Sequence, residues 1–247
     1  MCVGKDGTFI IDDSFAKLSD KFKNAISKLT DKKVNFVVNT HFHFDHTDGN
    51  ESFGKDGAII ISQANSRSRM MKDIFFPLFK KRQNAYSEVG LPKITLDKAL
   101  KFHYNGHTIN ILHFGPAHTD GDTFVYFPVS DVLHLGDVFR TTSYPIIDLY
   151  NGGTLAGTID ALELALEIAG PETKVIPGHG VSVVGRDEVR QFLDMILDVR
   201  GTVLELIEQQ QNLEGVLLAR PTEAYDATWG QEAGWTADDF VPIIYSE

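Results

Sequence analysis

Three imidazoles and a carboxylate fall close together in the chain, at His41, His43, Asp45 and His46. All four side chains are donors to borderline metals such as zinc. The residues just before them, 34–39 (Val-Asn-Phe-Val-Val-Asn), are β-branched and apolar and read as a buried strand. The donors then sit on the loop leaving the C-terminal end of a strand, where α/β proteins present side chains to a crevice. His41 and His43, two apart, can turn the same way to grip one ion. Asp45 and His46 lie further round the turn and can reach a second. A surface loop that happens to be rich in His is the bland alternative. Against it, clustered donors repel one another when protonated and are costly to order without a metal.

Three further donors follow in order. His118 stands in Gly-Pro-Ala-His-Thr-Asp-Gly-Asp (115–122), Asp137 in His-Leu-Gly-Asp (134–137), and His179 in Pro-Gly-His-Gly (177–180). Each follows an apolar, strand-like run, at 109–114, 132–135 and 174–176. The His-x-His-x-Asp-His string with these later motifs resembles the signature of the metallo-β-lactamase fold hydrolases over nearly the whole chain.

That resemblance implies a four-layer αββα sandwich of the α/β class. It also implies a ligand set in which His41, His43 and His118 hold one metal, Asp45, His46 and His179 hold another, and Asp137 bridges them. The implied cofactor is two Zn2+, with iron or manganese as substitutes, and open coordination positions for water as a catalytic site needs. A hydroxide bridging the metals, available near neutral pH, would attack the carbonyl of a small-molecule ester, thioester, lactone or lactam. Asp45 would orient that nucleophile and relay a proton.

Other residues take supporting parts in the same comparison. Asp12 matches an early Asp at a strand end that stands behind the ligand loops, with a turn or helix-cap carboxylate as the alternative. His134 alternates with Val132 and is expected beside Asp137 in a supporting role. A bridging Asp, in place of Cys, is more typical of glyoxalase II, lactonase and phosphodiesterase relatives than of cysteine-containing β-lactamases. Arg140 occupies the region where those β-lactamases use a Lys, and is a candidate for substrate binding. Tyr150 and Asn151, just before a helix start, are two more, with an ordinary polar cap as the alternative. Two other readings stand beside the hydrolase. One is a mononuclear iron enzyme similar to the persulfide dioxygenases, and the other is a truncated, inactive metal-binding relative.

The chain's 247 residues, 43% of them hydrophobic, suffice for one large α/β domain or two small ones. No linker or repeat interrupts it, so we expect one domain over 1–247 with a helical tail from about residue 186. A formal charge of −11 argues against RNA or DNA as a partner. The single cysteine, Cys2, excludes an internal disulfide. No apolar run approaches a membrane helix and no signal peptide precedes the fold, so the default expectation is a cytoplasmic chain with no membrane partner. The start is abrupt. The resemblance calls for further strands before the first hairpin, so the N-terminal sheet edge is expected to be incomplete, and a missing segment could have carried a signal. An unpaired edge is a template for association, which makes a homo-oligomer an expectation too.

In chain order, Asp6-Gly7 signals a hairpin turn leading into a strand at 8–11. Phe15, Leu18, Phe22, Ala25, Ile26 and Leu29 recur at helical spacing, with Ser14 or Asp13 as the expected cap. A short helix from 49–53 and a strand at 58–61 follow, an alternation typical of layered α/β proteins. Segment 63–92 is locally basic (Arg67, Arg69, Lys72, Lys80, Lys81, Arg82) and locally apolar (Met70, Met71, Ile74, Phe75, Phe76, Leu78, Phe79). It reads either as a lid for an apolar or anionic substrate part or, slightly preferred, as an amphipathic helix packed on the fold. Strands at 100–104 and 107–114 flank Asn105-Gly106, a type I′ hairpin signal, with His103, His107 and His113 as ordinary strand positions. Strands at 123–127 and 132–135, a helix from 155 to 169 stopped by Gly170-Pro171, and a long amphipathic helix at 189–207 complete the pattern. One or two short helices are expected in the tail.

Overall fold

Residues Lys5 and Asp6 turn the chain between β1 (Cys2–Gly4) and β2 (Gly7–Ile11), which pair antiparallel. Gly7 takes φ +130°, a conformation that side chains rarely adopt. From β2 the sheet grows by parallel pairing to β3 (Val34–Val38) and β4 (Ile59–Gln63). A separate antiparallel hairpin, β5 (Ile74–Phe76) with β6 (Lys81–Gln83), precedes β7 (Ile94–Leu96), which adds to the far side of β4. An antiparallel meander follows: β8 (Ala99–Tyr104), β9 (His107–Leu112) and β10 (Phe124–Phe127). The Asn105-Gly106 turn has positive φ at both residues (54° and 78°), as a type I′ turn requires. Helices α1 (Ser19–Ser27), α2 (Phe44–Thr47), α3 (Asn50–Lys55) and α4 (Ala64–Met70) fill the connections.

These elements belong to the first of two compact units, Met1–Gly115 with Asp120–Ser130; the second is Pro116–Thr119 with Asp131–Glu247. The computed structural model describes residues 1–77, 80–180, 183–232 and 234–247. In the first unit the period-two alternation of strands sorts side chains to two faces. Phe9 and Phe36 face the meander, with rings 5.4 Å and 4.7 Å from Phe102. Ile10, Val37 and Ile60 face the other way and pack with Ile26, Phe53 and Phe22 of α1 and α3. The tip of the β1–β2 hairpin is tied to the tip of the β8–β9 hairpin. Asn105 N donates to Asp6 Oδ2 and Asp6 N to Asn105 Oδ1 (both 2.9 Å), Asn105 Nδ2 reaches Gly7 O (3.0 Å), and Tyr104 Oη reaches Asp6 O (2.8 Å).

The second unit is a β-α-β arrangement with a helical tail. β11 (Val132–His134) and β12 (Lys174–Ile176) run parallel, and α5 (Leu155–Ile168) lies in the crossover between them. Thr154 caps α5, its Oγ1 accepting from Gly157 N at 3.0 Å. The long α6 (Arg186–Glu208) buries Val189, Phe192, Leu193, Ile196, Val199 and Val203 and packs on α5. Then come α7 (Leu213–Leu218), α8 (Asp226–Trp229) and α9 (Ala237–Tyr245), the last packed on α6. Tyr144 stacks on Phe240 at 5.4 Å, and Trp235 Nε1 donates to Pro145 O at 3.2 Å, so the tail is fastened to the segment after the Asp137 loop. Among the described residues no helix is long and apolar enough to cross a membrane.

Three local expectations are corrected. Helix α1 is not capped by Ser14 or Asp13; a 3-10 turn at Ala16–Leu18 intervenes, and Leu18 precedes the helix without a side-chain cap. The reason lies in what the two residues do instead. Asp13 is fully buried with its N–H on His46 O (2.9 Å), and Ser14, at φ 63°, accepts from Gly49 N (3.0 Å). Segment 63–92 is not one helix: α4 stops at Met70 and the β5–β6 hairpin follows. Pro77 has no N–H to continue a helical ladder, and Asp73 Oδ1 accepts from Ala85 N (2.8 Å) across the base of the hairpin. Leu78 and Phe79 lie outside the described residues. Among the described residues the tail holds three short helices rather than one or two.

Candidate metal centre

In the first unit the donors sit where the sequence pattern put them, just past the end of β3. His41, His43 and His46 are buried and Asp45 is half-buried. The His41 ring lies 4.7 Å from that of His43 and 4.3 Å from that of His46, and Asp45 Oδ2 is 3.5 Å from His46 Nε2. Thr40, at the head of the loop, is held at its carbonyl by Thr123, whose N and Oγ1 donate at 2.8 and 3.1 Å. From the hairpin side Phe76 packs edge-on against His43 at 5.2 Å and stacks with Phe42 at 5.7 Å.

Asp12 determines which nitrogens these rings present. Its backbone has φ 55°, a left-handed conformation an Asp tolerates better than most residues. From there Oδ1 accepts from Thr40 N (2.7 Å), and Oδ2 accepts from Thr40 Oγ1 (2.8 Å) and from His46 Nδ1 (2.8 Å). A carboxylate only accepts, so Nδ1 of His46 carries a proton, and in the neutral ring Nε2 then carries the lone pair. The single proton of the Thr40 hydroxyl is spent on Asp12. Its 3.1 Å contact with His41 Nδ1 therefore runs from the ring N–H to the hydroxyl oxygen, and the neutral ring then has its lone pair at Nε2 as well.

The second unit holds its own cluster. His118 and Asp137 are buried and His179 is half-buried. Asp137 Oδ2 lies 3.8 Å from His118 Nε2 and 3.3 Å from His179 Nε2. His118 Nδ1 donates to the carbonyl of Ile146, which again only accepts, so in the neutral ring its Nε2 too carries the lone pair. The His118 loop rests on the start of α5 through glycine. A Cβ on Gly153 would come within 2.3 Å of His118 O, which is too close for any other residue without a shift. Gly178 likewise lets the His179 loop approach Asp137, whose Oδ1 would be 2.1 Å from a Cβ there.

This donor set fits a divalent metal. A neutral imidazole with its proton bonded at Nδ1 and its lone pair at Nε2 is the form that ligates, and the bond at Nδ1 both orients the ring and raises its basicity. Nitrogen and carboxylate donors suit zinc, iron and manganese. Asp12→Ala is therefore expected to weaken zinc affinity by about 10- to 100-fold, read by competition with a chromophoric chelator. Unchanged affinity would remove Asp12 from the support of the site.

The remaining candidates are placed as follows. His134, half-buried, accepts from Gly136 N through Nδ1 at 3.1 Å, at the start of the turn carrying Asp137. Arg140 is 2% exposed and its guanidinium is engaged by the protein: Nη1 on Asp137 Oδ2 (2.8 Å), Nε on Ser143 Oγ (2.7 Å), and Nη2 on both oxygens of Glu232 (2.8 and 2.7 Å). Asn151 is buried and its side-chain amide is held by Asp148 Oδ2 (2.6 Å), whereas Tyr150 is 76% exposed. Asp148, in turn, donates its N–H to His118 O at 2.8 Å, so this turn braces a donor loop.

Sequence reasoning missed Asp148, Glu232 and Asp13. None has a spacing signal, because each acts on a residue far along the chain or on backbone. Burial pushes the Asp13 carboxyl well above its ordinary range, and the charge of Asp12 adds to this. Burial also tends to raise Glu232, but hydrogen bonds and charge from Arg140 leave it below its ordinary value.

A model of the metallo-β-lactamase superfamily matches residues 3–180. The α subunit of 2,4-dinitroanisole O-demethylase from Nocardioides sp. (strain JS1661) is 24% identical over 117 residues, covering 47% of this chain and 33% of that protein. The chain thus spans about a third of the length of this curated relative. A metallo-β-lactamase from Pontibacter korlensis superposes with a TM-score of 0.63 at 19% identity, over 79% of this chain and 84% of that one. The sec-alkylsulfatase Pisa1 from Pseudomonas sp. gives 0.68 at 18% identity, over 98% of this chain and 46% of that one. At these identities the two structures share a fold with this chain, and the mixed α/β architecture is that of the metallo-β-lactamases. The superfamily commonly binds divalent metals, and most of its members are metal-dependent hydrolases. With the match running over most of its length, the chain belongs to the metallo-β-lactamase superfamily.

Proposed function

We propose that the chain is a dinuclear, zinc-dependent hydrolase of the bridging-Asp branch, acting on a small-molecule ester, thioester, lactone or lactam. His41, His43, Asp45, His46, His118 and His179 are its metal ligands and Asp137 the bridging one. The observation that carries this reading is the set of hydrogen bonds at Nδ1. Three buried imidazoles, His41, His46 and His118, have Nδ1 bonded to an acceptor oxygen, and each in its neutral form presents the lone pair of Nε2. That is the state metal ligation needs. When bound, two dications acidify water toward neutrality and polarise the oxygen that receives charge in the transition state.

The chain's own residues do the rest. Asp45, half-buried on the first turn of α2, is the residue this reading assigns to orient a water and take its proton. Asp12 and Thr40 hold the imidazoles in a fixed orientation, so that little reorganisation accompanies charge development. The names of two relatives add anionic-oxygen leaving groups to the substrate classes worth trying, since one is an alkylsulfatase and the other an aryl-ether demethylase.

A panel of carbonyl esters, thioesters, lactones, lactams, secondary alkyl sulfates and aryl methyl ethers, run on protein carrying two zinc equivalents, tests the reading. Turnover is expected in at least one carbonyl class. Hydrolysis confined to sulfates or ethers would transfer the proposal to those bonds. Oxygen uptake on a persulfide with one iron per chain would replace it with the dioxygenase reading, and a fully loaded protein inert to every class would overturn catalysis altogether.

A further inference from the structure

Arg140 poses an electrostatic problem for the ligand set just proposed. Its guanidinium is buried, permanently charged, and 2.8 Å from Asp137 Oδ2, the oxygen that also lies nearest His118 and His179. A lone cation there would compete with dications for the carboxylate and repel them. Glu232 answers that charge. Both its oxygens accept from Arg140 Nη2, at 2.8 and 2.7 Å, while its own side chain is about one-third exposed (35%).

Glu232 is not there by the drift of a loose tail. Its segment is fastened on both sides: Tyr144 N donates to Trp229 O (2.9 Å), and Trp235 Nε1 donates to Pro145 O (3.2 Å). Ser143, which receives Arg140 Nε, itself pairs with Gly230 in an antiparallel bridge, and Arg140 pairs with His179 in a parallel one. The arginine, its two partners and a donor loop therefore share one backbone frame. Glu232 also lies beyond residues 3–180, the part of the chain that the superfamily model matches.

We propose that Glu232 is a positioning residue of the metal centre. It acts through Arg140, offsetting the arginine's charge and holding its far arm, so that the near arm orients Asp137 without capturing it. The proposal rests on the dinuclear reading above. The bland alternative is a salt bridge that merely staples the tail.

The two are separated by zinc titration of the full chain against a chelator, with the melting temperature of the zinc-free protein measured in parallel. Glu232→Gln keeps the size of the side chain and removes the charge. It is expected to weaken binding by about 10- to 100-fold, as loss of an outer partner of a ligand typically does. Glu232→Asp, which retains the charge, is expected to recover most of that loss. In an Arg140→Met background, Glu232→Gln is expected to change affinity by less than about threefold, because the charge it offsets is gone. Glu232→Gln that melts lower yet binds zinc as tightly as wild type would overturn the proposal in favour of the staple. An undiminished effect in the Arg140→Met background would overturn the route through Arg140. If Glu232→Gln does not fold, Glu232→Asp decides: a full hundredfold loss despite the retained carboxylate refutes charge compensation, and affinity near wild type supports it. A wild-type chain that takes up no zinc would instead sink the dinuclear reading, and this inference with it.

Discussion

Chelation of divalent ions is expected to abolish turnover and to lower the melting temperature by about 10 °C, both reversed by added zinc. The stability arm follows from mass action. A ligand present at about a thousand times its dissociation constant stabilises the folded chain by about 4 kcal/mol. For a chain of this size each kcal/mol moves the midpoint by about 2–4 °C. The activity arm follows from the residues. No Ser or Cys nucleophile stands with a general base in the clusters described, whose members are imidazoles and carboxylates. Calorimetry and a rate assay on chelated and reloaded protein check both arms, and full turnover after exhaustive chelation would end the metal reading.

Asp45→Asn is the point change expected to have the largest effect. Turnover should fall by about a thousandfold, within the range associated with loss of a general base. The zinc-free protein should keep its stability to about 0.5 kcal/mol, because Asp45 is half-buried and isosteric with Asn. Loss of charge next to His46 Nε2, 3.5 Å away, should also weaken one of the two metal equivalents. Metal analysis therefore has to accompany the kinetics. If the Asn variant turns over at the wild-type rate with both metals bound, Asp45 has no part in proton transfer.

What could be read from the chain alone was whatever is local. The donor loop was legible because four side chains able to donate to a metal follow closely on a strand end, and β3 behind them is apolar enough to read as a buried strand. The Asn105-Gly106 hairpin was legible because its turn type demands those two residues, and the structure gives both the positive φ values that it needs. Local signals misled where a distant partner outbid them. Asp13 and Ser14 look like helix caps, but His46 and Gly49 recruit them to the donor loop. Met70 to Phe76 looks amphipathic and helical, but Pro77 and the Asp73–Ala85 bond convert it to a strand turning back on itself. The pairing of Arg140 with Glu232 was not legible at all, because the two are 92 residues apart, beyond the reach of any spacing rule.

The clasp between the β1–β2 and β8–β9 hairpin tips bears on how the chain is made. Asp6 and Asn105 exchange backbone and side-chain bonds across 99 positions of sequence. On a ribosome adding about 5–20 residues per second, the first hairpin must wait roughly 5–20 s after its own synthesis before its partner turn exists. During that interval the backbone groups of Asp6 and Gly7 that the clasp later satisfies are open to other partners nearby. Slow translation between these two turns would lengthen the exposure, and crowding of nascent chains on one message would raise its cost. Yield on expression should therefore depend on synonymous codon choice over residues 7–105, even though the finished protein is the same.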